Sequence, residues 1–207
     1  MVYKVSSDFR FPINLFQIFL PKIKTTITSA IATKNAIMGA AKGKNTVACY
    51  VIGTGVGGGV VIDGKIHLGS TGSAGEIAHQ ILKPGGQKCG CGSNGCAETL
   101  TNSAAIAKIA GTKTSEEAYK KAVAGDQQAL TAFKEVGYWI SIALTNVMVM
   151  LAPDAIIIGG GVAQSGDILL NEIRTQMALQ SKIYPESAIN IIPATLGFHA
   201  GAIGAAL

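Results

Sequence analysis

His79, Cys89, Cys91 and Cys96 form the pattern H-x9-C-x-C-x4-C. Three of the chain's four cysteines and one of its three histidines fall inside these 18 residues, among Gly85, Gly86, Gly90, Gly92 and Gly95. Thiolates and an imidazole on a turn-rich loop can close a tetrahedron around Zn²⁺, which fixes where four separate points of the chain must meet. Chance clustering or a redox pair is the competing reading, and the upstream histidine and the glycine setting argue against both. Four protein ligands leave no open coordination position, so the expected metal is structural and does not activate water. Glu76 lies three residues before His79, and Glu98 lies two beyond Cys96. Acids at such places can be ordinary surface or capping groups. In a chain with only 12 acidic residues, this pair is better placed to accept hydrogen bonds from a polar ligand such as a sugar.

Residues 1–38 contain no glycine, whereas all 26 glycines lie from Gly39 onward. The first segment also holds Phe9, Phe11, Phe16 and Phe19, and its only acid is Asp8. Its apolar stretch is interrupted by Pro12 and followed by Pro21, Lys22 and Lys24, with no small-residue cleavage site, so it fits a signal peptide poorly. The expected organisation is an atypical leader over 1–38 and one domain over 39–207.

The net charge of +5 is spread over scattered lysines, which argues against a nucleic-acid footprint. No run of about 18 uncharged apolar residues is present to span a membrane. Hydrophobic residues make up 48% of the chain and charged ones 14%, enough for a sizeable core. Cys49 sits in an apolar run and reads as a buried thiol. Thiolates committed to zinc favour a reducing compartment, hence the cytoplasm.

From residue 46 the pattern is layered α/β. Strands are expected over 46–52, 58–65 with Asp63-Gly64 as a hairpin turn, 155–158 and 188–192. Helices are expected over 97–109, 115–124 with Thr114 as N-cap, 126–151, 166–181 and 200–207. Leu130, Phe133, Val136, Ile140, Leu144, Val147 and Leu151 recur at three and four residues, giving the longest helix one buried stripe.

Two glycine clusters follow strands. The run Gly53-Thr-Gly-Val-Gly-Gly-Gly59 leads into another strand and lacks a Gly-Lys-Ser/Thr, so it is neither a dinucleotide fingerprint nor a lysine-bearing phosphate loop. It reads equally as a bare hairpin or as a turn whose N–H groups and Thr54 hydroxyl meet a phosphate. Gly159-Gly160-Gly161 stands at the carboxyl end of a buried strand, where α/β proteins admit ligands, but a plain strand-to-helix turn would look the same.

Taken together, Gly53–Gly59, Gly72-Ser-Ala-Gly-Glu-Ile-Ala-His79, Cys89-Gly-Cys-Gly-Ser-Asn-Gly-Cys-Ala-Glu98 and Asp154-Ala-Ile-Ile-Ile-Gly-Gly-Gly161 closely resemble the ROK family of bacterial repressors and sugar kinases, which includes many glucokinases. The resemblance covers about 39–207. It implies one lobe of an actin/hexokinase-like (ribonuclease H-like) α/β fold, with a zinc loop and a helical insert. It implies structural zinc on His79, Cys89, Cys91 and Cys96, and sugar contacts from Glu76, His79 and Glu98. His79 would then face zinc through one ring nitrogen and a hydroxyl through the other. The resemblance further implies ATP with Mg²⁺, its phosphates at Thr54 and Gly55 and its adenosine at Gly159, Gly160 and Gly161. A homodimer is also expected.

The departures matter as much. Family kinases carry an Asp-x-Gly-Gly-Thr segment for the ATP phosphates and an Asn-Asp segment whose aspartate is the general base. Where the second should fall, the chain reads Lys24-Thr-Thr-Ile-Thr-Ser-Ala-Ile-Ala-Thr33, and no acid occurs between Asp8 and Asp63. Threonine and lysine cannot accept that proton at neutral pH. The expectation is a truncated, glucose-type hexose kinase with its first lobe largely missing and no catalytic residue of its own. The alternative is a non-catalytic sugar-binding sensor or interaction module.

Overall fold

The structure is a computed structural model, and it describes residues 39–195. The expected leader at 1–38 and the expected helix at 200–207 lie outside the described residues. Five strands form one sheet: β1 (Val47–Ile52), β2 (Val56–Ile62), β3 (Lys65–Ile66), β4 (Ala155–Gly159) and β5 (Ile191–Pro193), in the order β3-β2-β1-β4-β5. β1 pairs antiparallel with β2 and parallel with β4, and β5 continues parallel beyond β4. The helices are α1 (Ala97–Thr101), α2 (Ser103–Ala110), α3 (Ser115–Val123), α4 (Gln127–Leu151) and α5 (Asp167–Gln180).

Alternation along β1 sorts its side chains between two faces. Ala48, Tyr50 and Ile52 enter the main core beneath the helices, while Val47 and Cys49 join Ala41, Val61 and Ile157 on the opposite face. Burial pushes the Cys49 thiol up to about 12, so it packs as a neutral apolar group. β4 is fully buried along its length, as a central parallel strand must be. The buried face of α4 includes Phe133, Val136, Ile140, Leu144 and Val147 of the expected stripe, with Leu130 and Leu151 packed at its margin. Asp126 caps α4 by accepting the Ala129 N–H, and Thr114 caps α3 by accepting that of Glu117. Asp154 accepts N–H groups of Asn45 and Thr46, which ties the start of β4 to the start of β1.

Two expectations need correction. The helix read over 97–109 is broken at Asn102, which is extended (φ −74°, ψ 171°) and whose side chain accepts the Ala105 N–H to start α2 afresh. An asparagine offers the backbone a local partner that competes with a continuous helix. The strand read over 58–65 begins instead at Val56 and turns at Asp63-Gly64, both with positive φ, before β3. Val56 and Gly57 therefore join Gly58 and Gly59 in the strand, and only Gly53-Thr54-Gly55 remains as the turn between β1 and β2. Gly58 has a packing reason: a Cβ there would strike the Gly75 carbonyl and stand 2.8 Å from the Ile77 nitrogen. The bare strand lets the backbone that carries Glu76 lie directly on the sheet.

Candidate functional site

The loop between β3 and α1 folds back on itself through isolated bridges Ile81–Cys96 and Lys88–Asn94. The Ala97 N–H bonds to the Gln80 carbonyl, so His79 and Cys96 are brought side by side from opposite ends of the loop. The ligand atoms of His79, Cys89, Cys91 and Cys96 all lie within 4.8 Å of one another. Cys91 Sγ is 3.6 Å from Cys96 Sγ, and His79 Nδ1 is 3.7 Å from Cys89 Sγ. A tetrahedron with zinc–sulfur bonds of about 2.3 Å has edges of about 3.8 Å. All three thiols are free, with no disulfide among them. The donor set and its spacing thus fit a tetrahedral metal held by these four residues.

Burial pushes the Cys96 thiol up to about 12, and the neighbouring sulfurs of Cys91 and Cys89 add to the rise. The Ser93 backbone holds the exposed Cys91 thiol down to about 7. Sulfurs this close repel one another as thiolates, and a divalent cation held among them would let all three ionise.

The two acids converge on this knot. Glu76 Oε2 lies 4.0 Å from His79 Nε2, the ring nitrogen turned away from Cys89. Glu98 Oε1 lies 3.3 Å from Cys89 Sγ, and its Oε2 accepts the Val56 N–H at 3.1 Å. Glu76, His79 and Glu98 are each half-buried, so their polar ends can still meet a ligand. A Cβ on Gly55 would stand 3.1 Å from Glu98 Oε2, so the turn and the carboxylate are in direct register.

Thr54 and Gly55 are exposed at the tip of that turn. Because β1 and β4 run parallel, their carboxyl ends bring Gly159, Gly160 and Gly161 to the same sheet edge as Gly53–Gly55. The three glycines differ. Gly159 is buried inside β4. Gly160 has φ +88°, and a Cβ there would stand 2.8 Å from the Ile52 nitrogen, so strand packing alone demands it. Gly161 has open space around it and joins Ser115, Glu116, Tyr119, Lys120, Gln164 and Ser165 in a cleft of about 470 Å³.

Every sequence-predicted site residue thus falls into one of two neighbouring groups, the cysteine–histidine knot with its acids or the glycine turns. Sequence reasoning missed the Val56 N–H that joins them, because Val56 was expected in a loop. It also missed the α3 wall of the cleft, for which the sequence holds no local signal. Among the described residues, no helix is long and apolar enough to cross a membrane.

The sequence profile of the ROK family matches residues 22–207, beginning upstream of Gly39. The chain is 33% identical over 205 residues to a glucokinase of Halalkalibacterium halodurans, covering 89% of this chain and 62% of that protein. It is 32% identical over 174 residues to a xylose repressor of Bacillus spizizenii, covering 81% of this chain and 45% of that one. The crystal structure of a ROK family glucokinase from Streptomyces griseus, in complex with glucose and AMPPNP, matches with a TM-score of 0.80 at 29% identity, over 87% of this chain and 65% of that chain. The chain therefore spans between about half and two thirds of the length of these relatives.

Proposed function

The chain belongs to the ROK family, and from that premise we propose that it carries the metal-braced wall of a hexose pocket and one wall of an ATP pocket of a glucokinase-like sugar kinase. The observation that carries this reading is the convergence of Glu76, His79 and Glu98 on the four-ligand knot, with Glu98 bonded across to the 53–56 turn. In this reading Zn²⁺ is held by His79, Cys89, Cys91 and Cys96 and fixes the loop without touching the reacting atoms. Glu76 and Glu98 accept hydrogen bonds from hexose hydroxyls, and His79 Nε2 contributes a third contact. ATP with Mg²⁺ would set its phosphates at Thr54 and Gly55 and its adenosine beside Gly161. The domain expected over 39–207, which lies inside the family match at 22–207, and self-association as a homodimer belong to the same proposal.

We further propose that this chain alone does not phosphorylate sugar. No acid occurs between Asp8 and Asp63, so the proton of the attacking hydroxyl has no acceptor where the family keeps one. Loss of a general base costs about 10²- to 10⁴-fold. Titration calorimetry with glucose, together with a coupled assay for ADP and hexose phosphate, tests both statements. Glucose binding without turnover is the expected result. Family-typical turnover would refute the inactivity, and absence of glucose binding would refute the sugar pocket.

The similarity to xylose repressors favours a second reading, a sugar sensor without catalysis. Under it, the sugar raises the melting temperature equally with and without AMPPNP, and xylose competes with glucose.

A further inference from the structure

Two fully buried hydroxyls link the sheet to the helix that carries Glu98. Tyr50, near the middle of β1, bonds through its phenol to the Thr101 hydroxyl at 2.8 Å, and both residues are 0% exposed. The Thr101 hydroxyl also donates to the Ala97 carbonyl at 2.8 Å, so it must accept from Tyr50. Burial pushes the Tyr50 phenol well above its ordinary pKa, which keeps it a neutral donor.

This pair sits where the local fold is otherwise weak. α1 has only five residues, too short to hold its own shape. It ends at the extended Asn102, so α2 cannot brace it as a continuous helix. Yet α1 starts directly after the ligand Cys96 and carries Glu98 in its first turn. On its far side the Ser103 N–H donates to the Gly53 carbonyl at 2.9 Å, and Glu98 accepts the Val56 N–H. The two ends of the Gly53–Val56 turn are thus bonded to Glu98 in the first turn of α1 and to Ser103, the first residue of α2 just past the end of α1.

We propose that Thr101 is a positioning residue: through Tyr50 it fixes α1 on the sheet, and so sets Glu98 and the Gly53–Val56 turn in register with each other. Neither hydroxyl meets a ligand. Its effect on sugar affinity rests on the function proposed above, but the register itself does not.

Amide hydrogen exchange on the full chain, followed residue by residue, tests the register with no ligand present. In Thr101→Val the Val56 and Ser103 amides should exchange about tenfold faster, because a buried phenol loses its acceptor. Thr101→Ser should restore wild-type rates, and the Ile140 amide in α4 should be unchanged in both. Tyr50→Phe should reproduce the valine result, and it carries the test if Thr101→Val does not fold. Wild-type exchange at Val56 and Ser103 in the valine and phenylalanine variants would overturn the proposal. So would equal acceleration at Ile140, which would mark the pair as a contributor to global stability only. A second arm measures glucose affinity: the valine variant should bind about tenfold more weakly, with the serine variant near wild type. If the wild-type chain binds no glucose, the sugar reading fails while the exchange result still decides the register.

Discussion

Glu98 accepts the Val56 N–H at 3.1 Å with one carboxylate oxygen, and its other oxygen lies 3.3 Å from Cys89 Sγ. One side chain therefore joins the cysteine–histidine knot to the turn between β1 and β2, two features that are 42 residues apart at that hydrogen bond.

Glu98→Ala should weaken glucose binding by at least about tenfold in titration calorimetry, since a charged acceptor is lost and the Val56 N–H is left without its partner. Gly55→Ala should give a smaller loss. Its Cβ would stand 3.1 Å from Glu98 Oε2 and displace the carboxylate by a few tenths of an ångström.

Metal analysis of the purified chain should find about one zinc per molecule. A strong chelator, or Cys96→Ser, should lower the melting temperature by about 10 °C, because the 80–97 loop contains no helix or extended strand before α1 and a metal would tie its four donor residues together. Scanning calorimetry reads the shift. An unchanged melting curve would remove the metal from the account of this fold.

Gly58→Ala should destabilise the chain by about 3 kcal/mol in urea unfolding, near the upper end for an overpacked site. The new methyl would meet the backbone of Gly75 and Ile77, which cannot rotate aside as a side chain can.

Backbone N–H groups of Thr46 and Asn45 hold the Asp154 carboxyl below its ordinary pKa. A depressed folded value means that the charged form stabilises the fold. The contribution is complete above the unfolded pKa of about 3.9 and is lost as pH falls through the lower folded value. The stability difference between wild type and Asp154→Asn should therefore be constant from pH 7 to pH 5 and shrink below about pH 4. Urea midpoints at each pH check this.

The convergence of His79, Cys89, Cys91 and Cys96 was legible because donor residues of this kind lie close together on one glycine-rich loop. The stripe of α4 was legible because its period is local. What escaped the sequence was set by residues distant along the chain. Val56 and Gly57 looked like loop but open β2, and Gly58, read as strand, gave no sign that it is bare because the 75–77 backbone rests on it. The family resemblance alone gives Gly159–Gly161 as one adenosine segment, and the pattern could not show that Gly160 answers to Ile52. Asn102 was an available signal, since an asparagine followed by a serine commonly restarts a helix, and the apolar pattern on either side masked it.

β1 lies between an antiparallel and a parallel neighbour, with the 53–55 turn and the 159–161 turn gathered at its carboxyl end. A slip of this strand by one residue would carry Tyr50 out of the helix-side core and part both turns from their partners at once. The accuracy of the mouth is therefore inherited from six residues of plain hydrophobic strand, a ruler whose marks both turns share.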